Sequence, residues 1–324
     1  MMKNKKTLIL IIFLLISFEV HAQIKSMPGA FTRMGFDATG LSLGNSIIAE
    51  RKDVTCPYYN PARIVFQENI SFNLSYTFLN LDRSLNTFSF ILPIKLKQEN
   101  GEILSSAISA GLINAGVNNI DGRDLDGFHT NKLSIFEDQF FLAVSALFSK
   151  NLSIGANFKF NYAKLYENIT SSGFGIDIGI LYIYNNNFSF GFMIKDINTA
   201  YEWDTSELYG QNGNNTKEKF PLIKIIGMSY NFSNDFCCHF SFENSNQKTN
   251  ILKFGSEYEF NTNFKIRIGI DRIDISNTSN GIKPSFGFSY SNEFSSLKPI
   301  LNYALCLEPF THYPIQMLTL TIQL

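Results

Sequence analysis

The chain lacks any uninterrupted apolar stretch of the roughly 20 residues that a membrane-spanning helix requires; the run near its start, Leu8 to Phe18, is too short. Charge is sparse at 17%, and a formal net charge of -1 gives no basic field for nucleic acid or another polyanion. Cysteine is scarce too. Cys56, Cys237, Cys238 and Cys306 include no CxxC, and although they could pair in three ways in an oxidising compartment, a chain this long does not need disulfides to hold a core. They read as packed or inert thiols rather than as a metal or redox centre. Cys237 and Cys238, adjacent in an alternating stretch, are expected on opposite faces. The four histidines, His21, His129, His239 and His312, are not paired at metal-ligand spacing, and there is no phosphate-binding glycine loop. His239 lies beside Cys238 and Ser241, but a triad is decided by geometry, and a lone strand histidine reads first as a plain polar position. The expectation is a protein that is not an enzyme, with no cofactor and no metal.

What the chain does have is aromatic: 32 Phe and 14 Tyr against one Trp. These residues favour strands. Lys3, Lys5 and Lys6, then Leu8 to Phe18, then Val20-His21-Ala22 read as an export signal over 1–22, with the mature chain starting at Gln23. With no cysteine after that cut, a lipid anchor is not expected.

From residue 70 onward one pattern repeats. Leu152, Ile154, Ala156, Phe158, Phe160 and Tyr162 share one face of a strand, opposite Ser153, Gly155, Asn157, Lys159 and Asn161. About 14 such segments begin near residues 70, 85, 103, 138, 151, 172, 187, 220, 235, 249, 263, 281, 297 and 314. An even count suits a bacterial transmembrane barrel. Short turns at Ser149-Lys150, Asn185-Asn186-Asn187 and Asn261-Thr262-Asn263 alternate with longer polar connections near 117–137, 198–219 and 273–280, which matches short periplasmic turns and long external loops. The polar face carries Lys159, Asp177, Lys195, Glu257, Lys265, Arg267, Asp271 and Lys283, while the other face is apolar. A sandwich could use these faces as solvent and core, but strand length, leader and loop asymmetry favour a barrel with a charged lumen in lipid. Tyr162, Tyr166, Tyr182, Tyr184, Tyr230, Tyr258 and Tyr290 fall near strand ends, where amphipathic rings suit lipid headgroups or simply strand propensity. The terminal segment QMLTLTIQL is a strand ending on Leu324, where many outer-membrane barrels end on an aromatic residue.

Residues 23–69 do not alternate, and a barrel of this size has room for them. Within them, Gly40 and Gly44 lead through Asp53 to Tyr59, Asn60, Pro61 and Ala62. Glycine permits close approach, proline fixes its own φ, and asparagine can satisfy local backbone groups, so the stretch reads as a packing device in a buried irregular segment. An ordinary periplasmic turn is the plainer reading. The stretch resembles the N-terminal signature of the PorV/PorQ family of outer-membrane proteins, which in turn resembles the FadL long-chain fatty-acid transporters. It departs from that pattern at Thr39, where the family commonly has Arg, at Glu50 to Asp53, and at Arg63-Ile64, where Gly-Leu is usual.

The resemblance implies an all-β, antiparallel transmembrane barrel of 14 strands over residues 70–324, with 23–69 as an N-terminal plug. It also implies residence in the outer membrane of a Gram-negative bacterium. It supports two roles. One is binding and delivery of cargo proteins in type IX secretion, with cargo and secretion components as partners. The other is FadL-like passive transport of a hydrophobic small molecule, with the plug as gate. Gly40, Gly44, Asp53, Tyr59, Asn60, Pro61 and Ala62 would then be structural or gating residues. The loop 118–133 holds Asp121, Asp124 and Asp126 but lacks the terminal Glu of an EF-hand, so an ordinary polar loop is the first reading.

Overall fold

The computed structural model describes residues 27–97, 103–166, 169–293 and 297–324; the stretch expected as an export signal, 1–22, lies outside them. The strands run β1 (Ser71–Phe78), β2 (Arg83–Lys97), β3 (Ile103–Arg123), β4 (His129–Ser149), β5 (Leu152–Tyr166), β6 (Ile169–Ile183), β7 (Phe188–Ile197) and β8 (Ala200–Asp204). They continue with β9 (Asn215–Lys219), β10 (Ile223–Asn231), β11 (Phe236–Ser245), β12 (Asn250–Asn261), β13 (Phe264–Asp274), β14 (Lys283–Ser291), β15 (Lys298–Cys306) and β16 (Ile315–Gln323). Fourteen of them form one closed antiparallel barrel, in which β1 pairs with β16 and β7 pairs directly with β10. β8 and β9 make a separate two-stranded hairpin.

The two faces are inverted relative to a soluble protein. On β1, Ser71, Asn73, Ser75 and Thr77 are buried toward the lumen, whereas Phe72, Leu74, Tyr76 and Phe78 are 38%, 57%, 53% and 52% exposed outside. A water-solvated sandwich would bury those rings; a barrel in lipid exposes them. Tyr182, Tyr184, Tyr258 and Tyr290 also point outward near strand ends. The last strand, ending beside Leu324, closes the barrel through Ser71 opposite Gln323.

Two regions differ from the sequence expectation. The fourth strand starts at His129 rather than near 138, because β3 and β4 continue as a hairpin through most of the stretch expected as loop. Both strands are 21 residues long, about 70 Å at the usual rise, so they stand well clear of a membrane crossed by about ten. Neither face of the extension meets lipid, and alternation is lost there. A register shift between Val117 and Ile120, with Asn119 at φ 55°, blurs the period further. Within the hairpin, Asp124 Oδ1 accepts from the backbone N–H of Asp126 and Phe128, while Asp121 pairs with Arg123 at 2.8 Å and with His129. The second difference is the hairpin β8–β9, which occupies a stretch expected to be irregular. It is held against β6 by Ser171, which donates to the Glu202 carbonyl and accepts from the Glu202 N–H.

Residues 27–70 pack against the inner wall. A short helix, α1 (Ala38–Ser42), lies on β13 to β16, where Ala38 N–H donates to Thr319 Oγ1 and Ser285 Oγ donates to the Ser42 carbonyl. A 3-10 turn, Pro61–Phe66, lies on the opposite side, where Ser153 Oγ donates to the Ala62 carbonyl. Apolar contacts concentrate on β2 to β4, with Ile64 and Val65 against Ile91, Ala107 and Ala143, and on β15 to β16, with Leu41 near Ala304 and Met317. The remaining wall approaches through its backbone. Gly155, Gly179, Gly191, Gly227, Gly255, Gly269 and Gly287 face inward on seven strands, and a Cβ on any of them would come within 3.0 Å of the segment 42–61. That row lets an irregular chain lie directly on the sheet.

Candidate functional site

The seam between this inner segment and the wall joins residues singled out in the sequence to others that were not, Asp37, Asn45 and Thr55 among them. Asp37 caps α1: its Oδ1 accepts from Gly40 N–H at 2.6 Å and its Oδ2 from Thr55 Oγ1 at 2.5 Å. Burial raises its pKa, against the lowering effect of those hydrogen bonds. Gly40 lies beneath the Tyr59 ring, leaving no room for a Cβ, and Tyr59 donates to Asn45 Oδ1 at 2.9 Å. Gly44, at φ 61°, sits on the Ile270 backbone. Asn60 Nδ2 donates to the carbonyls of Ile48 and Ile180 at 3.0 and 3.1 Å, and its Oδ1 accepts from Ala62 N–H at 3.0 Å. One side chain therefore ties the inner segment to itself and to β6. Pro61 and Ala62 continue that contact onto β5.

Asp53 stands apart from this group and faces β13, where it accepts from Lys265 at 3.1 Å and from Arg267 at 2.9 Å. Burial disfavours its charge, but the two cations outweigh that and hold its carboxyl well below the usual range. Arg267 is 1% exposed and also meets Glu257 Oε2 at 2.5 Å and Asn302 Oδ1 at 2.9 Å. Beside it, buried Arg63 donates to the Glu50 carbonyl at 2.6 Å and pairs with the Glu50 carboxylate at 3.3 Å. Burial works against the Glu50 charge, yet Arg63 leaves its carboxyl below the ordinary value. Arg63 was visible in the sequence only as a departure from a family pattern, although with Arg267 it is the largest fully buried side chain among the described residues.

The charged lumen face forms further pairs. Lys159 bridges Asp177, at 2.5 Å, and Asp196; Lys253 joins Glu243 at 2.7 Å. Lys195 lies 3.5 Å above the centre of the Tyr58 ring. His239 is buried between Ser229 Oγ at 2.8 Å and Cys237 Sγ at 3.5 Å, with Glu50 and Arg63 nearby, and Ser241 is not its hydrogen-bond partner. All four cysteines are free thiols, and Cys237 is buried while Cys238 faces the other side.

A cavity of about 720 Å³ opens above the inner segment, at the end of the barrel bearing the longer connections. Met27, Phe31 and Met34 lie at its floor, Leu85, Ile135 and Leu165 on its wall, and Phe310 and Pro314 come from the β15–β16 connection. Trp203 of β8 lines it too, its Nε1 donating to Glu218 at 3.0 Å. Charged side chains line it as well, from Arg33, Arg83, Glu137 and Lys164 to Arg272, Lys283 and Glu308. A second, much smaller pocket of about 10 Å³ lies between Tyr58, Lys159 and Lys195. A largely apolar chamber with polar groups converging on it is the usual form of a small-molecule site, and it was not legible in the sequence because its lining comes from about ten separate stretches.

No protein-family model matches this chain, and no curated protein sequence does. Solved structures do match in fold. The toluene transporter TodX of Pseudomonas putida is 11% identical with a TM-score of 0.58, over 89% of this chain and 96% of that one. The toluene transporter TbuX of Ralstonia pickettii is 12% identical with a TM-score of 0.57, over 89% and 97%. A FadL homologue of Pseudomonas aeruginosa is 11% identical with a TM-score of 0.56, over 89% and 98%. The fold is therefore that of the FadL type of outer-membrane barrel.

Proposed function

We propose that the protein is a passive transporter of hydrophobic small molecules across an outer membrane, with the apolar chamber as the capture site and residues 27–69 as the plug that gates it. The observation that carries this reading is the 720 Å³ chamber above an inner segment whose residues 42–61 lie directly on the wall. The apolar part of its lining favours an apolar ligand by desolvation, and its charged side chains would orient one. The plug meets the wall through Asp53, Asn60 and hydroxyl contacts from Ser89, Ser153, Ser189, Ser285 and Thr319, while the Tyr59–Asn45 bond ties it to itself, so that it would move as a unit.

The only tryptophan provides the test. Titrating the purified barrel with toluene or a long-chain fatty acid is expected to change Trp203 emission saturably, and Trp203→Phe to abolish the signal. Ala30→Trp, which projects into the chamber from its floor, is expected to weaken binding about tenfold or more by filling the site. A linear, unsaturable response in the native protein would count against a binding chamber.

A second reading, delivery of cargo proteins in type IX secretion, is favoured by one feature: the run Gly40, Gly44, Asp53, Tyr59-Asn60-Pro61-Ala62 with its PorV/PorQ resemblance. Comparing secreted proteins between wild type and a deletion strain separates the two. Selective loss of proteins sharing a C-terminal domain supports delivery, whereas an unchanged profile with slowed uptake of a hydrophobic compound supports transport.

A further inference from the structure

The chain between β7 and β10 folds into the barrel instead of away from it. Pairing of β6 with β7 stops at Ile176 opposite Ile197, so the Ile169 end of β6 runs on past its neighbour. At that point Asp196 and Asn198 take φ of 61° and 57°, and two such residues within three positions turn the strand inward. The turn is clamped: the Asp196 N–H donates to Asp177 Oδ1 at 2.8 Å, and its carboxylate pairs with Lys159. Thr199 and Ala200 then lie on Gly175 and Gly173, on the lumen face of β6, where no Cβ would fit. The hairpin β8–β9 is laid along the inside of the wall.

On the chamber side Tyr201 and Trp203 line the cavity, and Tyr201 donates to Glu137 Oε2 at 3.0 Å. On the plug side the Phe220 ring covers Gly29 so closely that a Cβ there would collide with it. Gly29, at φ 65°, starts the 3-10 turn Ala30–Arg33, and its carbonyl accepts from Thr32 Oγ1 at 2.7 Å. Ring contacts join the two sides, with Tyr201 5.3 Å from Trp203 and 5.0 Å from Phe220. One row of rings runs from the chamber to the first turn of the plug. The rest of the hairpin is held lightly, since residues 206–212 and Asn215 to Lys219 are exposed throughout. A two-stranded ribbon is marginal by itself, so this element parts from its neighbours at small cost. Lifting it off Gly29 exposes Phe220, now 4% exposed, to water when the chamber is empty, whereas an apolar molecule in the chamber covers the ring. That difference is what a ligand needs in order to shift the equilibrium.

Resting on the transport reading above, we propose that β8–β9 is a strap that pins the plug at its first turn through Phe220 and releases it when an apolar ligand fills the chamber. Cys306 reports the release. It is 1% exposed in the cluster that Ala38 and Met34 of the plug cover, so its rate of alkylation by N-ethylmaleimide, read by peptide mass spectrometry, rises when the plug lifts. With toluene as the probe, the native barrel is expected to show a saturable change in Trp203 emission and a rise of about fivefold or more in the Cys306 rate. Phe220→Ala should raise that rate without toluene and leave toluene little further effect, while the Trp203 titration persists. Gly29→Ala strikes the same contact from the plug side and should do the same. Heat-modifiable gel mobility confirms that each variant is a folded barrel. A toluene-driven rise as large in both variants as in the native protein would overturn the strap, and so would toluene binding that leaves the native Cys306 rate unchanged. A native barrel with no saturable Trp203 response would instead overturn the transport reading on which the trigger depends.

Discussion

Replacing Asp53 with Lys is expected to raise the conductance of the reconstituted barrel in planar bilayers, with the barrel itself intact. The carboxylate accepts from both Lys265 and Arg267 of β13. Losing one partner of a buried, hydrogen-bonded ion pair costs about 3–5 kcal/mol, and with Asp53 28% exposed the lower end applies. About 3 kcal/mol corresponds to a rise of roughly a hundredfold in the displaced population. A lysine adds repulsion to that loss, while Asp53→Asn should give a smaller rise. Arg267→Met is expected to behave differently, because it also strands Glu257 inside the wall and so lowers the stability of the barrel. An Asp53→Lys barrel as closed as the native one would show that this pair does not hold the plug.

The sign of the pH dependence follows from the same pair. A carboxyl held below its ordinary value stabilises the folded contact above the unfolded pKa of about 4, and that contribution is lost as pH falls through the lower folded value. Conductance of the native barrel should accordingly stay flat between about pH 8 and pH 5 and rise only in stronger acid.

The barrel was legible because lipid and lumen impose a strict period of two. Every strand expected between Ser71 and Gln323 is present, and the starts agree closely except at His129, where the chain leaves the membrane and both faces turn polar. The hairpin β8–β9 was missed for the same reason: Asn215 to Lys219 are exposed throughout, so no pattern marks them. Of the seam residues, Asn60 and Gly44 were visible because their backbone chemistry is local. Their partners were not, since Ile180 and Ile270 contribute only backbone atoms to the contact. The glycine row had a faint trace, one glycine on the polar face of strand after strand. Gly173, Gly175 and Gly179 alternate along one strand, but nothing in that pattern tells that Asn60 would lie against the last.

That contact supports the second large effect. Asn60→Leu is expected to open the barrel about as strongly as Asp53→Lys, because it removes three hydrogen bonds at once and leaves the carbonyls of Ile48 and Ile180 buried without their donor. Each unsatisfied buried group costs about 1–3 kcal/mol. Gly179→Leu attacks the same point from the wall, since its Cβ would collide with Asn60 Oδ1 and Pro61. If both act by parting one seam, their effects on conductance must fall short of additive when combined, because the second change finds the contact already lost. Asn60→Ala with Pro61→Ala should follow the same course. Should Gly179→Leu open the barrel while Asn60→Leu leaves it closed, the Asn-Pro-Ala run would be no more than a turn, and the seam would be held by shape alone.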